Sequence, residues 1–272
     1  MTRRKGAGGA ILLLPVVLLL IAVILLLTRG ARRERAQEAA SVAAGVDYIR
    51  ALELMDPGEV ESQIKAIRAQ ELAAMRQQRL ADLESGAIDV WSLFEDYVII
   101  GDSRALGFSY YGHLPEDRVI AELGATIMGV EEKLDMIRPL NPATIYLSFG
   151  ANDMNTYIWT DGPSYAERYR QLVELLQSEF PDAMIVVNSI LPIHEPSYSS
   201  QSIYQKVPEF NASLRQMCAE TGVVFVDNDA LSETHANLYE GDGIHFMSAF
   251  YPYWGANMIE AVLESGEGDD LT

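Results

Sequence analysis

Five short runs of strand-forming residues alternate with helix-forming stretches from Trp91 onward. The strand-like runs are residues 97–100, 118–122, 144–148, 184–189 and 223–226. The predicted helices are residues 103–111, 130–137, 164–180, 207–220 and 248–264. Strands that alternate with helices pair in parallel through crossover connections, and mainly apolar strands are buried on both faces. The pattern predicts an α/β domain over residues 91–266, with a mainly parallel sheet and helices on both of its faces.

Residues 11–27 form an uninterrupted apolar run near the N-terminus. With residues 8–10 the run is long enough to cross a hydrocarbon core of about 30 Å, and no small-residue cleavage pattern follows it. A buried core helix is the alternative, but no face of the run is polar. We therefore predict a transmembrane signal anchor over residues 10–28, after a basic tail over residues 1–9. Basic residues flank the run on both sides, so charge does not fix its orientation.

Residues 29–90 are rich in amino acids that favour helices, with one break at residues 56–58. There Asp56 suits a helix N-cap and Pro57 suits the first helical position. The segment is predicted to be a helical stalk between the membrane and the α/β domain. Its apolar register is short and imperfect, which favours a plain spacer, while self-association through the stalk stays open. Residues 267–272 are predicted to be an acidic tail.

The chain carries a formal net charge of −19, with its basic residues enriched before residue 36. An acidic body repels nucleic acid, so no such partner is expected, while the basic segment beside the anchor suits anionic lipids. Cys218 is the single cysteine and excludes an intramolecular disulfide. No cluster has metal-ligand spacing and no nucleotide-binding glycine motif is present, so we expect neither a metal nor a cofactor.

Polar residues follow the predicted strands at the edge of the sheet where ligands of open α/β folds bind. Ser103 would be a nucleophile, His245 its general base, and Asp242 the group that orients the imidazole. The backbone N–H groups of Ser103 and Gly124, with the side-chain amide of Asn152, would stabilise an oxyanion. The alternative roles are structural: serine and aspartate cap helices, and asparagine is common in turns.

Four blocks in order make the sequence resemble the SGNH, or GDSL-type, hydrolases over about residues 95–265. The first block is Gly-Asp-Ser-Arg at residues 101–104, the third Gly-Ala-Asn-Asp at 150–153, and the last Asp-Gly-Ile-His at 242–245. Gly124 is the match for the second block, and Arg104 departs from the leucine of the name-giving pattern. The resemblance implies a flavodoxin-like three-layer α/β/α sandwich and ester substrates. It also implies the triad Ser103, His245 and Asp242, with an oxyanion hole of Ser103, Gly124 and Asn152.

Four further side chains close to these blocks are candidates for substrate binding. They are Asp102, Arg104, Tyr157 and Trp159. Aromatic side chains offer apolar area together with a polar tip, which suits contact with a ligand. The aromatic pair has a plain alternative, which is packing in the core.

The resemblance and the anchor together predict a serine esterase of the cell membrane with an extracytoplasmic catalytic domain. It would hydrolyse or transfer O-acyl groups, above all O-acetyl groups, on cell-wall or surface carbohydrates. Its expected partners are the lipid bilayer and an acylated glycan or small ester. Two alternatives remain: a non-catalytic, membrane-tethered glycan-binding or scaffold protein on the same fold, and a hydrolase of lysophospholipid or thioester type.

Overall fold

The computed structural model describes residues 32–33, 35, 37, 40–49 and 57–269. The predicted anchor over residues 10–28 lies outside these residues. Within them, no helix combines the length and the apolar character that a membrane span needs. The chain divides into two units, Met1–Glu71 and Leu72–Thr272. Residues 40–49 of the first unit are helical.

The second unit contains a sheet of five parallel strands, which confirms the predicted α/β class. The strands are β1 (Tyr97–Gly101), β2 (Val119–Ala121), β3 (Thr144–Ser148), β4 (Met184–Asn188) and β5 (Val224–Val226). Their order in the sheet is β2-β1-β3-β4-β5, with every pair parallel. The strand after β1 along the chain, β2, pairs on one side of β1, and the strand after that, β3, pairs on the other side. The strand order therefore reverses between β1 and β3. In such sheets the crevice between the strands at that point, β1 and β3, is where ligands bind.

Nine α-helices lie in the part of the chain from residue 57 to residue 269. They are α1 (Pro57–Glu84), α2 (Ser103–Tyr110), α3 (Leu134–Ile137), α4 (Ala151–Asn155), α5 (Gly162–Glu179), α6 (Ser197–Ser200), α7 (Val207–Thr221), α8 (Asp229–Thr234) and α9 (Tyr251–Asp269). The short helices α4, α6 and α8 were not predicted. The predicted helix over residues 130–137 is wrong for its first half, where the 3-10 segment Glu131–Lys133 precedes α3. Another 3-10 segment, Ile127–Gly129, lies just before it. The last predicted helix begins as a 3-10 turn, Ser248–Phe250, and α9 continues to Asp269.

The sheet separates two apolar cores, because alternate residues of each strand face opposite sides. Val98 and Ile100 of β1 belong to one core, which α5 and α7 cover, and Ile99 belongs to the other, which α2 and α9 cover. The same alternation is seen in β3 and β4. Helices on both faces of one sheet make the three-layer α/β/α arrangement that the resemblance implies.

The C-terminal part of α1, from Leu72, belongs to the second unit and packs against α9, although residues 72–90 were predicted to belong to the stalk. Leu83 is buried in the same core as α9. Arg79 donates through Nε and Nη2 to the two carboxylate oxygens of Glu260 on α9, at 2.7 and 2.8 Å. A bidentate pair of this kind fixes orientation as well as distance. The α/β unit therefore includes the end of α1.

Candidate active site

Ser103 is the first residue of α2 and follows the carboxyl end of β1 after one residue. That one residue, Asp102, caps the helix by accepting a hydrogen bond from Arg104 N–H through Oδ1 at 2.9 Å. The N–H groups of a first helical turn have no acceptor within the helix and lie at the positive end of its dipole. The strand-to-helix turn thus exposes a hydroxyl and an N–H group at the edge of the sheet.

His245 connects this hydroxyl to a carboxylate. Its Nε2 lies 2.9 Å from Ser103 Oγ, and its Nδ1 lies 2.6 Å from Asp242 Oδ2. Partial burial opposes charge on Asp242, but hydrogen bonds from the His245 side chain and from the N–H groups of His245 and Ile244 outweigh it and lower the pKa of this carboxyl. An ionised carboxylate can only accept hydrogen bonds, so Nδ1 carries the proton and Nε2 is left to accept the Ser103 proton.

A tight turn over residues 240–245 fixes the imidazole in place. Glu240 N–H donates to His245 O at 2.8 Å, and Gly243 N–H donates to Glu240 O at 3.0 Å. Gly243 has a φ of +72°, and a Cβ at this position would lie 2.4 Å from the carbonyl oxygen of His194. Only glycine suits both the positive φ and this close backbone approach. The turn therefore constrains Asp242 and His245 together.

Gly124 and Asn152 supply further candidate donors from the loops after β2 and β3. Gly124 has a φ of +74°, and no atom lies within 4 Å of where its Cβ would be, so its backbone is open to a ligand. Asn152 on α4 donates through Nδ2 to Ala125 O at 3.1 Å. A side-chain amide has two N–H groups, so this bond fixes the rotamer and leaves a second donor. Because β2, β1 and β3 are adjacent, the loops that carry Gly124, Ser103 and Asn152 converge at one edge.

An apolar groove with a volume of about 320 Å³ opens beside Ser103 and His245. Its other lining residues are Leu106, Gly107, Tyr110, Tyr111, Leu123, Glu240, Phe246 and Tyr251. Tyr110 is 77% exposed and Leu123 is 79% exposed, so both lie at the rim. Ser103, Leu106 and Tyr110 recur at the spacing of one helix face. This spacing is a sequence signal for the groove, whose lining residues were not predicted.

None of the four predicted substrate-binding residues lines this groove. Asp102 and Arg104 are only 1% and 2% exposed. Arg104 donates through Nη1 to Leu191 O at 2.8 Å, so its guanidinium belongs to the interior and does not form the mouth of a pocket. Trp159 is buried against the ring of Tyr165, with centroids 5.3 Å apart, which matches the core alternative. Tyr157 is exposed, and its hydroxyl lies 3.4 Å from Oε1 of Gln201.

The remaining histidines pack against aromatic rings. His113 stacks on Trp91 with centroids 4.7 Å apart, and His235 stacks on Tyr253 at 3.9 Å. Among the residues that the structure describes, no group of three or more histidine, cysteine, aspartate or glutamate side chains has the arrangement of a metal site.

Comparison with known proteins identifies the family. The model of the GDSL-like lipase/acylhydrolase family matches residues 99–251, more than half of the chain. A GDSL-like lipase from Bacteroides thetaiotaomicron has a similar structure, with 18% identity, a TM-score of 0.48 and coverage of 62% of this chain and 88% of its own. A lipase/acylhydrolase from Enterococcus faecalis has 16% identity and a TM-score of 0.48, and the match covers 63% of this chain and 95% of its own. An acetyl xylan esterase has 16% identity and a TM-score of 0.48, and the match covers 61% of this chain and 98% of its own. No curated protein matches the sequence. The chain belongs to the GDSL-like lipase/acylhydrolase family and is an ester-hydrolysing serine hydrolase.

Proposed function

We propose that Ser103, His245 and Asp242 form the catalytic triad of this esterase. The observation that carries the proposal is the continuous line of hydrogen bonds from the Ser103 hydroxyl through the imidazole to the Asp242 carboxylate, at 2.9 and 2.6 Å. These hydrogen bonds lie at the edge of the sheet where ligands of open α/β folds bind. The apolar groove opens beside Ser103 and His245. Nucleophile, base and orienting acid in hydrogen-bond contact are what acyl transfer requires.

The reaction proceeds in two acyl-transfer steps. Ser103 Oγ bonds to the ester carbonyl carbon as its proton passes to His245 Nε2, and the carbonyl oxygen becomes an oxyanion. The N–H groups of Ser103 and Gly124 and the amide of Asn152 stabilise that charge. The ester C–O bond then breaks, and the imidazolium returns the proton to the leaving alcohol oxygen. In the second step His245 Nε2 takes a proton from water, or from a sugar hydroxyl, whose oxygen bonds to the acyl carbon. The bond between the acyl carbon and Ser103 Oγ then breaks, and the imidazolium returns the proton to Oγ.

The substrate class that we propose is an O-acyl group, foremost an O-acetyl group, on a cell-wall or surface carbohydrate. Aromatic residues Tyr110 and Tyr111 line the groove beside the nucleophile, and Glu240 adds a polar group that can accept from sugar hydroxyls. Apolar faces with a few polar groups are typical of sites that bind small ligands. Membrane anchoring and an extracytoplasmic catalytic domain are part of this proposal, and the apolar run over residues 11–27 supports them.

A hydrolase of lipid-derived esters or thioesters is the second candidate. The apolar walls of the groove, including Leu106, Leu123 and Phe246, favour it because they suit an alkyl chain as well as a short acyl group. The two candidates differ in the length of acyl chain that they prefer.

The test measures kcat/KM of the full chain in non-ionic detergent on p-nitrophenyl acetate, butyrate and octanoate, together with acetate release from an O-acetylated oligosaccharide. We expect the acetyl ester to be preferred and the oligosaccharide to be deacetylated. Ser103→Ala should abolish turnover, whereas the control Ser109→Ala, on the same helix, should retain it. Preference for octanoate without deacetylation would favour the lipid-acyl candidate, and turnover that survives Ser103→Ala would refute the triad.

A further inference from the structure

Two consecutive side chains, Asn152 and Asp153, clamp the loop that follows β2. Asn152 donates through Nδ2 to Ala125 O at 3.1 Å, and Asp153 accepts from Ile127 N–H through Oδ1 at 3.0 Å. The two bonds run in opposite directions, so the loop and α4 are fixed to each other by both a donor and an acceptor. Gly124, the candidate oxyanion donor of this loop, directly precedes the clamped segment.

Asp153, which accepts the Ile127 bond, lies in the protein interior. It is fully buried, and within the described residues its Oδ2 atom has no hydrogen-bond partner. Burial, opposed by the Ile127 N–H group and reinforced by the charge of Asp102, raises its pKa to about 7. A buried carboxyl with one unpaired oxygen is unfavourable, whereas an amide would satisfy the Ile127 N–H group without a charge to bury. Stability alone therefore gives no reason for an acid at this position.

We propose that Asp153 is a positioning residue for the oxyanion hole, which holds the Gly124 loop at a fixed distance from the Asn152 amide. This inference rests on the proposed function. Oxyanion stabilisation depends on donors that are already in place when charge develops. Two of the three donors come from separate loops, and the Asp153–Ile127 bond joins those loops directly. Loss of the bond lets the two donors move independently, which lowers kcat more than it changes KM.

The test compares two substitutions that keep the branched shape of the side chain. Asp153→Asn keeps an Oδ1 acceptor for Ile127 N–H, whereas Asp153→Leu replaces the two oxygens by somewhat larger methyl groups and removes the acceptor. On p-nitrophenyl acetate we expect Asp153→Asn to keep kcat within about threefold, and Asp153→Leu to lower it by about 10- to 100-fold with KM within about threefold, less than the loss of a whole donor. Thermal unfolding of each variant reports its folding. The control Tyr169→Phe removes a neighbouring buried hydroxyl without touching the clamp and should leave kcat unchanged.

A double-mutant cycle separates positioning from a merely structural role. If Asp153 acts through the oxyanion hole, Asn152→Ala combined with Asp153→Leu loses less activity than the product of the two single losses. Multiplicative losses would overturn the inference, as would a folded Asp153→Leu variant with wild-type kcat, or an Asp153→Asn variant as slow as Asp153→Leu. In each of these cases the wild type still hydrolyses the ester through Ser103, so the proposed function stands. Absence of Ser103-dependent turnover in the wild type would refute both.

Discussion

Replacing Asp153 by asparagine is expected to make the stability of the folded protein less sensitive to rising pH. Burial raises the pKa of this carboxyl from its ordinary 3.8 to about 7 in the folded protein. Between these two values the folded chain keeps the proton that the unfolded chain has lost. Folding therefore binds a proton, and the stability of the wild type falls as the pH rises through this window. Asparagine does not titrate, so the variant escapes that loss.

The size of the effect follows from the two pKa values. A difference of about three pH units corresponds to about 4 kcal/mol over the whole window, and about 2.5 kcal/mol of it falls between pH 5 and pH 8. For a domain of this size that is about 5–10 °C in melting temperature. Asp102, whose pKa burial also raises despite the nearby Arg104, is present in both proteins. Its contribution largely cancels in the difference.

The assay is thermal unfolding followed by circular dichroism at pH 5, 6, 7 and 8 and constant ionic strength. The quantity of interest is the melting temperature of Asp153→Asn minus that of the wild type. We expect this difference to grow steadily towards pH 8, whatever fixed offset the amide introduces. A difference that stays constant within about 1 °C would show that Asp153 is already ionised at pH 5 in the folded protein, and that its pKa is not raised to about 7.

Three other predictions concern the oxyanion donor Asn152, the orienting acid Asp242, and Arg79 near the end of α1. Asn152→Ala should lower kcat by about 10²- to 10³-fold in steady-state hydrolysis of p-nitrophenyl acetate, as loss of one oxyanion donor does; a loss below tenfold would contradict its role. Asp242→Asn should lower kcat by about 10²- to 10⁴-fold, because the amide can donate to Nδ1 of His245 and so favour the wrong tautomer; near wild-type kcat would contradict the triad. Arg79→Ala should destabilise the protein by about 3 kcal/mol in urea unfolding, because it leaves the buried Glu260 charge unpaired. Adding Glu260→Leu should recover most of that loss, and no recovery would show that the arginine acts through other contacts.

The sheet was predictable because its strands are short apolar runs buried on both sides. All five predicted strands match the observed ones to within two residues, from Tyr97–Gly101 to Val224–Val226. Helix prediction failed in the segment before α3. The spacing of Val130, Leu134 and Ile137 indicates one helix, yet Lys133 N–H bonds to Val130 O, three residues earlier, so the start of the segment forms a 3-10 turn. Just before it, the side chain of Asp153 on α4 binds Ile127 N–H, a contact that the local pattern does not reveal.

The candidate catalytic residues were easier to predict from the sequence than the residues that line the groove. Ser103, Asn152 and His245 occupy motifs that follow or precede recognisable elements, and the structure brings Ser103 and His245 into contact. The groove is different, because it is lined by side chains from α2, from the loop after β2 and from the turn before α9. Arg104 shows a second limit of prediction from the sequence. Its proximity to the nucleophile in sequence suggested substrate contact, but the helix turns its side chain into the interior.

Covalent labelling by a fluorophosphonate is the sharpest test of Ser103 as the nucleophile. The reagent traps an activated serine, so peptide mass spectrometry after labelling of the full chain identifies the nucleophile without any assumption about substrate. We expect a single adduct on Ser103, and a loss of labelling in a His245→Ala variant that retains its fold. An adduct on a different serine, or labelling of Ser103 at an unchanged rate without His245, would contradict this expectation.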